Sequence, residues 1–422
     1  MINLDSISKI GLGTYRMGVE NPLHFKTLEY GIHKGINLLD TSSNYGNGDS
    51  EKLIGNYFQK NQSNRKNIFV ITKAGYITDN NLTSFNAQNI IQRIPYVSID
   101  ERFNYSLHPD YLKFQIKTSL ERLKTDYIDC FLLHNPEHYF RAESNKKEVY
   151  DTIKLAFTYM EELKHKGIIK YYGVSSNTLP TPDKVNGLSL KELVSIAKDI
   201  SENNGFKFIQ FPFNLVEDDA IQIKYNGQTL IELAKNEGII TISNRPLNAN
   251  HQGSFLRLTD FSLYISIEEL DEKDSVVYQK TIDYLSSTLK AIDAEANVFD
   301  FTPIRTIRDY RKKFGNEEAV LQFYNQDLMP FLTAVFDTNV PQDFLETINT
   351  LLNYSITYSK INLNKKLQVY KEELLKNGIL SDLSKPLPIT ACQFYLDKGV
   401  DHVLMGMRKK EYINQMLPMI QD

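Results

Sequence analysis

Short, largely apolar runs recur along the first half of the chain, and between them apolar side chains return every three or four residues. The runs are Ile10–Gly11–Leu12–Gly13–Thr14, Ile36 to Asp40, Ile68 to Lys73, Ile128 to His134, Ile169 to Ser175, Phe206 to Phe211 and Ile239 to Ser243. A run apolar at nearly every position is expected of a strand buried on both faces, the usual state of parallel strands. The intervening segments carry helical stripes. Phe25, Leu28 and Ile32 form one, stopped at Gly35, and Leu53, Ile54, Tyr57 and Phe58 form another behind a Ser50 N-cap. Further stripes are Leu112, Ile116 and Leu123, then Val149, Ile153, Ala156, Met160 and Leu163 with a stop at Gly167. A helix from Leu188 to Asn203 and a short one near Leu230–Ala234 complete the series. Strand and helix in strict alternation, with short connections, imply right-handed crossovers and a parallel sheet.

The rhythm breaks at about Ser266. From 266 to 381 the pattern is almost wholly helical, with Tyr278, Ile282, Leu285, Leu289 and Ile292 in helical register and no glycine between Gly253 and Gly315. A second stripe, Leu367, Tyr370 and Leu374, stops at Gly378. The alternation then resumes: a helix from Pro388 to Asp397 stops at Gly399, His402–Val403–Leu404–Met405 is the eighth strand, and a last helix follows Arg408. The predicted fold is α/β, a (β/α)8 TIM barrel formed by 1–265 and 382–422. A helical insertion, 266–381, separates strand seven from the helix that precedes strand eight. Such barrels take about 250 residues and reach beyond about 400 with insertions. Two long connections, after strands three and seven, leave strand C-termini. They are therefore expected on the catalytic face, shaping the substrate mouth.

Composition narrows the functional classes. The chain has 422 residues, 41% of them hydrophobic and 24% charged, with a formal net charge of −4. That balance gives no electrostatic footprint for nucleic acid or an anionic membrane surface. No apolar stretch approaches the roughly 20 residues of a membrane span. The first residues lack the basic and apolar regions of a secretory signal. Two cysteines, Cys130 and Cys392, cannot build a disulfide framework and read as core residues, so a reducing cytoplasm is the expected location.

Four polar residues at or just after the ends of strands carry the chemistry. Asp40 ends the second, Tyr45 follows it in Thr41–Ser42–Ser43–Asn44–Tyr45–Gly46, Lys73 ends the third and His134 the fourth. In a closed parallel barrel these ends converge on one face. A phenol has a pKa of about 10 and is a slow acid near neutrality. A neighbouring ammonium would lower that value, with Lys73 in that role and Asp40 holding it. His134 would donate to a carbonyl oxygen or help relay the proton. The set suits a carbonyl that gains hydride on carbon and a proton on oxygen. The hydride must come from a cofactor, because no side chain supplies one.

These residues stand in stretches that resemble the aldo-keto reductase superfamily. The stretches are Gly11–Leu12–Gly13–Thr14, Leu39–Asp40–Thr41–Ser42 with Tyr45–Gly46, Ser50–Glu51–Lys52–Leu53–Ile54–Gly55, Ser119–Leu120–Glu121–Arg122–Leu123 before Asp126–Tyr127–Ile128–Asp129, and Gly173–Val174–Ser175–Ser176. The resemblance implies a (β/α)8 barrel, a catalytic tetrad of Asp40, Tyr45, Lys73 and His134, and NADPH in preference to NADH. It implies that Ser175, Ser176 and Gln210 hold the nicotinamide carboxamide and that Gly13 and Thr14 border the cofactor. Where relatives place a ring to stack on nicotinamide, this chain has Asn244–Arg245–Pro246–Leu247, with Arg245 expected to reach the pyrophosphate. Gly406–Met407–Arg408 resembles the segment whose arginine grips the 2′-phosphate. Tyr15, Tyr76, Asn135 and Glu137 would flank the mouth, and aromatic walls suit an apolar or planar substrate.

The primary expectation is an NADPH-dependent oxidoreductase acting on a small-molecule aldehyde or ketone. The alternative is a binding or regulatory protein of the same fold that engages a protein partner through the helical insertion. A metal-dependent barrel hydrolase is the weakest reading, because His134 lacks partners at ligand spacing and nothing in the tetrad requires metal.

Overall fold

The computed structural model describes residues 2–78, 94–99, 103–142, 145–251, 254–261, 263, 265–380 and 384–421. Two compact units are present: Met1–Leu258 with Pro388–Asp422, and Thr259–Leu387.

The first unit is a closed eight-stranded parallel barrel. Its strands are β1 (Ile10–Gly13), β2 (Leu38–Asp40), β3 (Phe69–Ala74), β4 (Ile128–His134), β5 (Ile169–Ser175), β6 (Phe206–Pro212), β7 (Ile240–Asn244) and β8 (His402–Met405). Each strand pairs with its successor, and β8 closes on β1. Around them lie α1 (Pro22–His33), α2 (Asp49–Lys60), α3 (Pro109–Leu123), α4 (Lys146–His165), α5 (Leu190–Ile200) and α6 (Leu230–Asn236). The predicted strands are therefore found in order, displaced by no more than two residues at either end. The reason is burial: every residue of β3 and β4 is buried, so apolar residues predominate and the polar ones, Thr72, Lys73, Asp129 and His134, each have a hydrogen-bond partner. Inward-facing Leu38, Phe69, Ile71, Cys130, Leu132, Phe208, Ile242 and Leu404 fill the barrel, which confirms Cys130 as a core residue.

Register decides which polar residues meet at the strand C-termini. Gly13 pairs with Asp40, Asp40 with Ile71, His134 with Ser175, and Ser175 with Gln210. The connection after β3 adds a three-stranded antiparallel sheet of Tyr76–Ile77, Val97–Ser98 and Asn104–Tyr105. Residues 79–93 and 100–102 of that connection lie outside the described residues.

One local expectation is corrected. Ser50 does not cap α2; the helix starts at Asp49, and Gly48, with φ of 93°, occupies the N-cap. The Ser50 hydroxyl turns inward and joins the Thr14 and Thr41 hydroxyls at 2.5 and 2.9 Å, tying β1 and β2 to the helix. Gly48 is obligatory for two reasons. Its backbone is left-handed, and a Cβ there would stand 2.4 Å from the Arg122 guanidinium carbon.

The second unit contains α7 (Ile267–Ile292), α8 (Thr302–Tyr310), α9 (Glu317–Phe323), α10 (Met329–Val335) and α11 (Gln342–Lys376). Leu285, Leu289, Ile304, Val320, Leu328, Leu332, Phe344 and Ile348 form a core of its own. Buried Asp274 is neutralised by Arg311 at 3.1 Å and Lys312 at 3.6 Å. The start and end of this unit are fastened together. Asp260 accepts from Lys371 at 2.8 Å and from the Leu387 amide at 3.0 Å, and Asn364 donates to the Phe261 carbonyl at 2.8 Å. The chain returns to the barrel through α12 (Leu387–Asp397) and ends in α13 (Lys410–Ile420). Among the described residues no helix is long and apolar enough to cross a membrane.

The contact of α2 with α3 is close at Gly55, where a Cβ would lie 2.0 Å from the Arg122 carbonyl oxygen. Gly55→Ala must push the two helices apart. We expect it to destabilise the barrel by about 1–3 kcal/mol, measured by urea unfolding.

Candidate active site

Lys73 is the centre of the cluster. Its side chain is fully inaccessible, and its ammonium lies 2.7 and 2.8 Å from the two Asp40 carboxylate oxygens and 2.8 Å from the Thr41 carbonyl. An unpaired ammonium at this depth would be prohibitively costly, so the contacts to Asp40 and Thr41 are what permit it. Asp40 is completed by Gln210, whose Nε2 donates to Oδ1 at 2.8 Å. Gln210 Oε1 accepts from Ser175 Oγ at 3.1 Å and from Asn244 Nδ2 at 3.3 Å. One hydrogen-bonded chain thus crosses the barrel from β3 through β2 to β6, β5 and β7.

The Tyr45 hydroxyl accepts a long hydrogen bond of 3.5 Å from Lys73. Tyr15 and His134 lie edge-on to the Tyr45 ring at centroid separations of 5.0 and 6.0 Å. The loop that carries Tyr45 is fixed from beneath. Arg122 of α3 pairs with buried Glu51 of α2 at 3.2 Å and donates to the Ser43 carbonyl at 3.5 Å, while Glu51 also accepts from Thr72 at 2.6 Å.

The electrostatics differ from the sequence expectation. Burial, reinforced by the Asp40 charge, pushes the Tyr45 phenol well above its ordinary value. Lys73 was expected to lower it, but the ammonium is nearer to Asp40 than to the phenol. Burial also lowers Lys73, against the opposing pull of Asp40. His134 is held well below the ordinary imidazole value by burial, then by the charges of Lys73 and His138. The resting site is a protonated phenol and a neutral imidazole beside a buried ion pair.

At the mouth, Tyr76 packs edge-on to His134 at 5.0 Å. Its hydroxyl is 2.7 Å from His138 Nε2 and accepts from Asn135 Nδ2 at 2.6 Å. Tyr15 is 65% exposed, so its place is at the rim. Glu137 is buried and accepts from the Asn177 amide at 2.8 Å, and that burial raises its pKa.

The remaining residues named from sequence divide into two sets. Ser175, Gln210 and Asn244 meet Asp40 in the chain described above. Gly13 ends β1 opposite Asp40, and Thr14 donates its hydroxyl to the Asp40 carbonyl at 2.8 Å. The others make contacts apart from that chain. Ser176 Oγ accepts from the Thr178 amide at 3.1 Å in a local turn. Arg245, with φ of 53°, pairs with Glu217 at 2.8 Å, and the Leu247 carbonyl accepts from the Leu258 amide at 2.9 Å. Gly406 is exposed in the turn after β8, with open space where a Cβ would stand, and Arg408 follows half-buried with its charge felt by His24. Sequence reasoning missed Glu217 and His138, whose partners are distant in sequence. It also passed over Ser42 and Asn44, which adjoin a residue it did select.

A closed parallel barrel with polar groups gathered at its strand ends is the architecture of a (β/α)8 enzyme. The sequence profile described as the Aldo/keto reductase family matches residues 9–291. The chain belongs to the aldo/keto reductase family. It is 33% identical over 170 residues to the uncharacterized oxidoreductase YqkF of Bacillus subtilis, covering 40% of this chain and 45% of that protein. It is 25% identical over 179 residues to the NADH-specific methylglyoxal reductase of Escherichia coli, covering 40% and 49%. These matches span about half the length of either relative. The solved glycerol dehydrogenase of Gluconobacter oxydans is 17% identical and superposes with a TM-score of 0.50, covering 98% of this chain and 86% of that one, a likeness of fold.

The shifted groups set a pH expectation. Tyr45 loses its proton only above the ordinary phenol range and His134 gains one only below the ordinary imidazole range. Between about pH 6.5 and about pH 10, neither changes state. Neither group therefore contributes a limb to the kcat/KM profile for carbonyl reduction across that window, and a limb that persists there in His134→Gln reports the proton of Lys73, whose pKa burial lowers.

Proposed function

We propose that this chain is an NADPH-dependent carbonyl reductase that converts an aldehyde or ketone to an alcohol and runs in reverse as an alcohol dehydrogenase. The observation that carries this reading is the buried Lys73 ammonium, anchored on Asp40 and donating to the Tyr45 oxygen. Because the phenol oxygen accepts from Lys73, its own hydrogen is free to point elsewhere. Tyr45 thus serves as the acid, giving its proton to the carbonyl oxygen, while the ammonium steadies the phenolate that forms. His134, edge-on to both Tyr45 and Tyr76, borders the same substrate.

The chain has polar groups that fit a nicotinamide. Asn244 Oδ1 is buried without a hydrogen-bond partner, and Asn244 Nδ2 lies 3.3 Å from the Gln210 amide oxygen. Buried polar atoms of this kind normally find partners. A carboxamide carries both a donor and an acceptor, which is what these atoms and the Ser175–Gln210 pair require. When bound, a reduced nicotinamide supplies the hydride. Asn244 stands at the end of β7, so an amide rather than a ring borders that place. Arg245 Nε is likewise buried without a partner while its other end is held by Glu217, which leaves one donor for a phosphate oxygen. Arg408, followed by exposed Lys409 and Lys410, supplies positive charge suited to a 2′-phosphate and supports NADPH over NADH.

Two measurements test this. Tyr45→Phe should lower kcat for carbonyl reduction by about 10²–10⁴-fold, the usual worth of a positioned acid, with NADPH affinity unchanged by cofactor fluorescence titration. Near-normal turnover in that variant would overturn the assignment. Arg408→Ala should weaken NADPH binding by about tenfold or more and NADH binding far less, since only NADPH carries the 2′-phosphate.

A further inference from the structure

The turn that carries Tyr45 is touched by one side chain at both of its ends. Before the tyrosine, the Ser43 amide donates to the Lys73 carbonyl at 3.2 Å, and the Ser43 carbonyl accepts from Arg122 Nη1 at 3.5 Å. After it, the backbone is left-handed at three successive residues, Gly46, Asn47 and Gly48, with φ of 55°, 54° and 93°. Asn47 carries a side chain in a region that favours glycine, so this conformation persists because its surroundings impose it. The Arg122 guanidinium packs on the Gly48 backbone so closely that a Cβ there would stand 2.4 Å from its carbon. Arg122 is in turn aimed by Glu51, which is fully buried, accepts from Arg122 Nη1 at 3.2 Å and takes the Thr72 hydroxyl of β3 at 2.6 Å on its other oxygen.

We infer that Arg122, oriented by Glu51, is a positioning residue that clamps the turn 43–48 from both ends and so sets the approach of the Tyr45 hydroxyl to Lys73. The inference rests on the reductase reading for the acid role of Tyr45. That hydroxyl meets Lys73 at 3.5 Å, the outer limit of a hydrogen bond, so a small displacement of the turn ends the contact. Lys73 is fixed separately, by Asp40 and the Thr41 carbonyl. Release of the clamp therefore moves the phenol and leaves the ammonium in place.

Arg122→Met alone would strand a buried carboxylate, so the pair is removed together. Glu51→Gln/Arg122→Met should lower kcat for carbonyl reduction by about 10–100-fold, the order that a misplaced catalytic group costs, with NADPH affinity unchanged by fluorescence titration. The same pair introduced into Tyr45→Phe should change the residual rate by less than about threefold, because no acid remains to be misplaced. A merely structural role lowers the rate equally in both backgrounds, and that result overturns the inference. So does a normal kcat in the folded double variant. Gly48→Ala loads the clamp from the side of the turn with both charges kept. It should give the same Tyr45-dependent loss, and it decides the matter should the double variant fail to fold.

The position of the ring is read without turnover from the full-length chain labelled with ¹³Cζ-tyrosine, in which the Tyr45 line is the one lost in Tyr45→Phe. We expect that line to shift or split when the clamp is removed or loaded, and an unchanged line overturns the inference. Inactivity of the wild type toward a panel of aldehydes and ketones would count against the reductase reading, and the tyrosine line would still decide the clamp.

Discussion

The site depends on the burial of one ammonium group. Lys73 has no solvent contact, and moving an ion of that size out of water costs several kcal/mol even after the protein relaxes. The cost is offset only because barrel closure delivers two Asp40 oxygens and the Thr41 carbonyl to the same point. Asp40 in turn needs Gln210, from a strand four places away around the barrel. A charge pair of this kind is weak as a source of net stability but strict about geometry, since loss of either partner strands the other. The register of β2, β3 and β6 is therefore what fixes the position of the ammonium against Tyr45.

The same burial that makes the pair possible works against an acidic tyrosine. The simple argument, that a nearby cation lowers a phenol's pKa, ignores the competition for that cation. Asp40 lies in direct contact with Lys73, whereas the Tyr45 oxygen is 3.5 Å away. Desolvation and the carboxylate then decide the direction. The consequence is a site poised with its proton in place. The ammonium counts once the phenolate develops, which is the point at which electrostatic help lowers a barrier rather than the energy of the bound state.

Much of this was legible in the chain, and the reason is local. A parallel strand buried on both faces has to be an apolar run, so Ile128 to His134 and Ile169 to Ser175 declare themselves at both ends. A polar residue closing such a run lies at the rim of the barrel, which made Asp40, Lys73 and His134 visible together. What could not be read depends on side-chain direction. Ser50 stands where a cap is common, yet Gly48 takes the cap and the Ser50 hydroxyl points to Thr14 and Thr41. Arg245 follows a strand end and suits a phosphate, and the sequence did not show that Glu217 from a separate loop holds its other end. Ser176 folds back on Thr178. Each of these outcomes was set by a partner whose distance in space no periodicity reports.

The stretches that carry the family resemblance also contain more scaffold than chemistry. Ser50 to Gly55 and Ser119 to Leu123 meet each other beneath the Tyr45 loop. Gly55 lets the helices approach until the Arg122 backbone nearly touches it, and Arg122 then reaches Glu51 and the Ser43 carbonyl. Glu51 binds Thr72, the residue before Lys73. The tyrosine loop and the lysine strand are thereby referred to one buried carboxylate. Tyr45 and Lys73 come from different elements, and their separation is only as constant as the distance between those elements. Glu51 and Arg122 make that distance a property of the folded barrel, established before any substrate arrives.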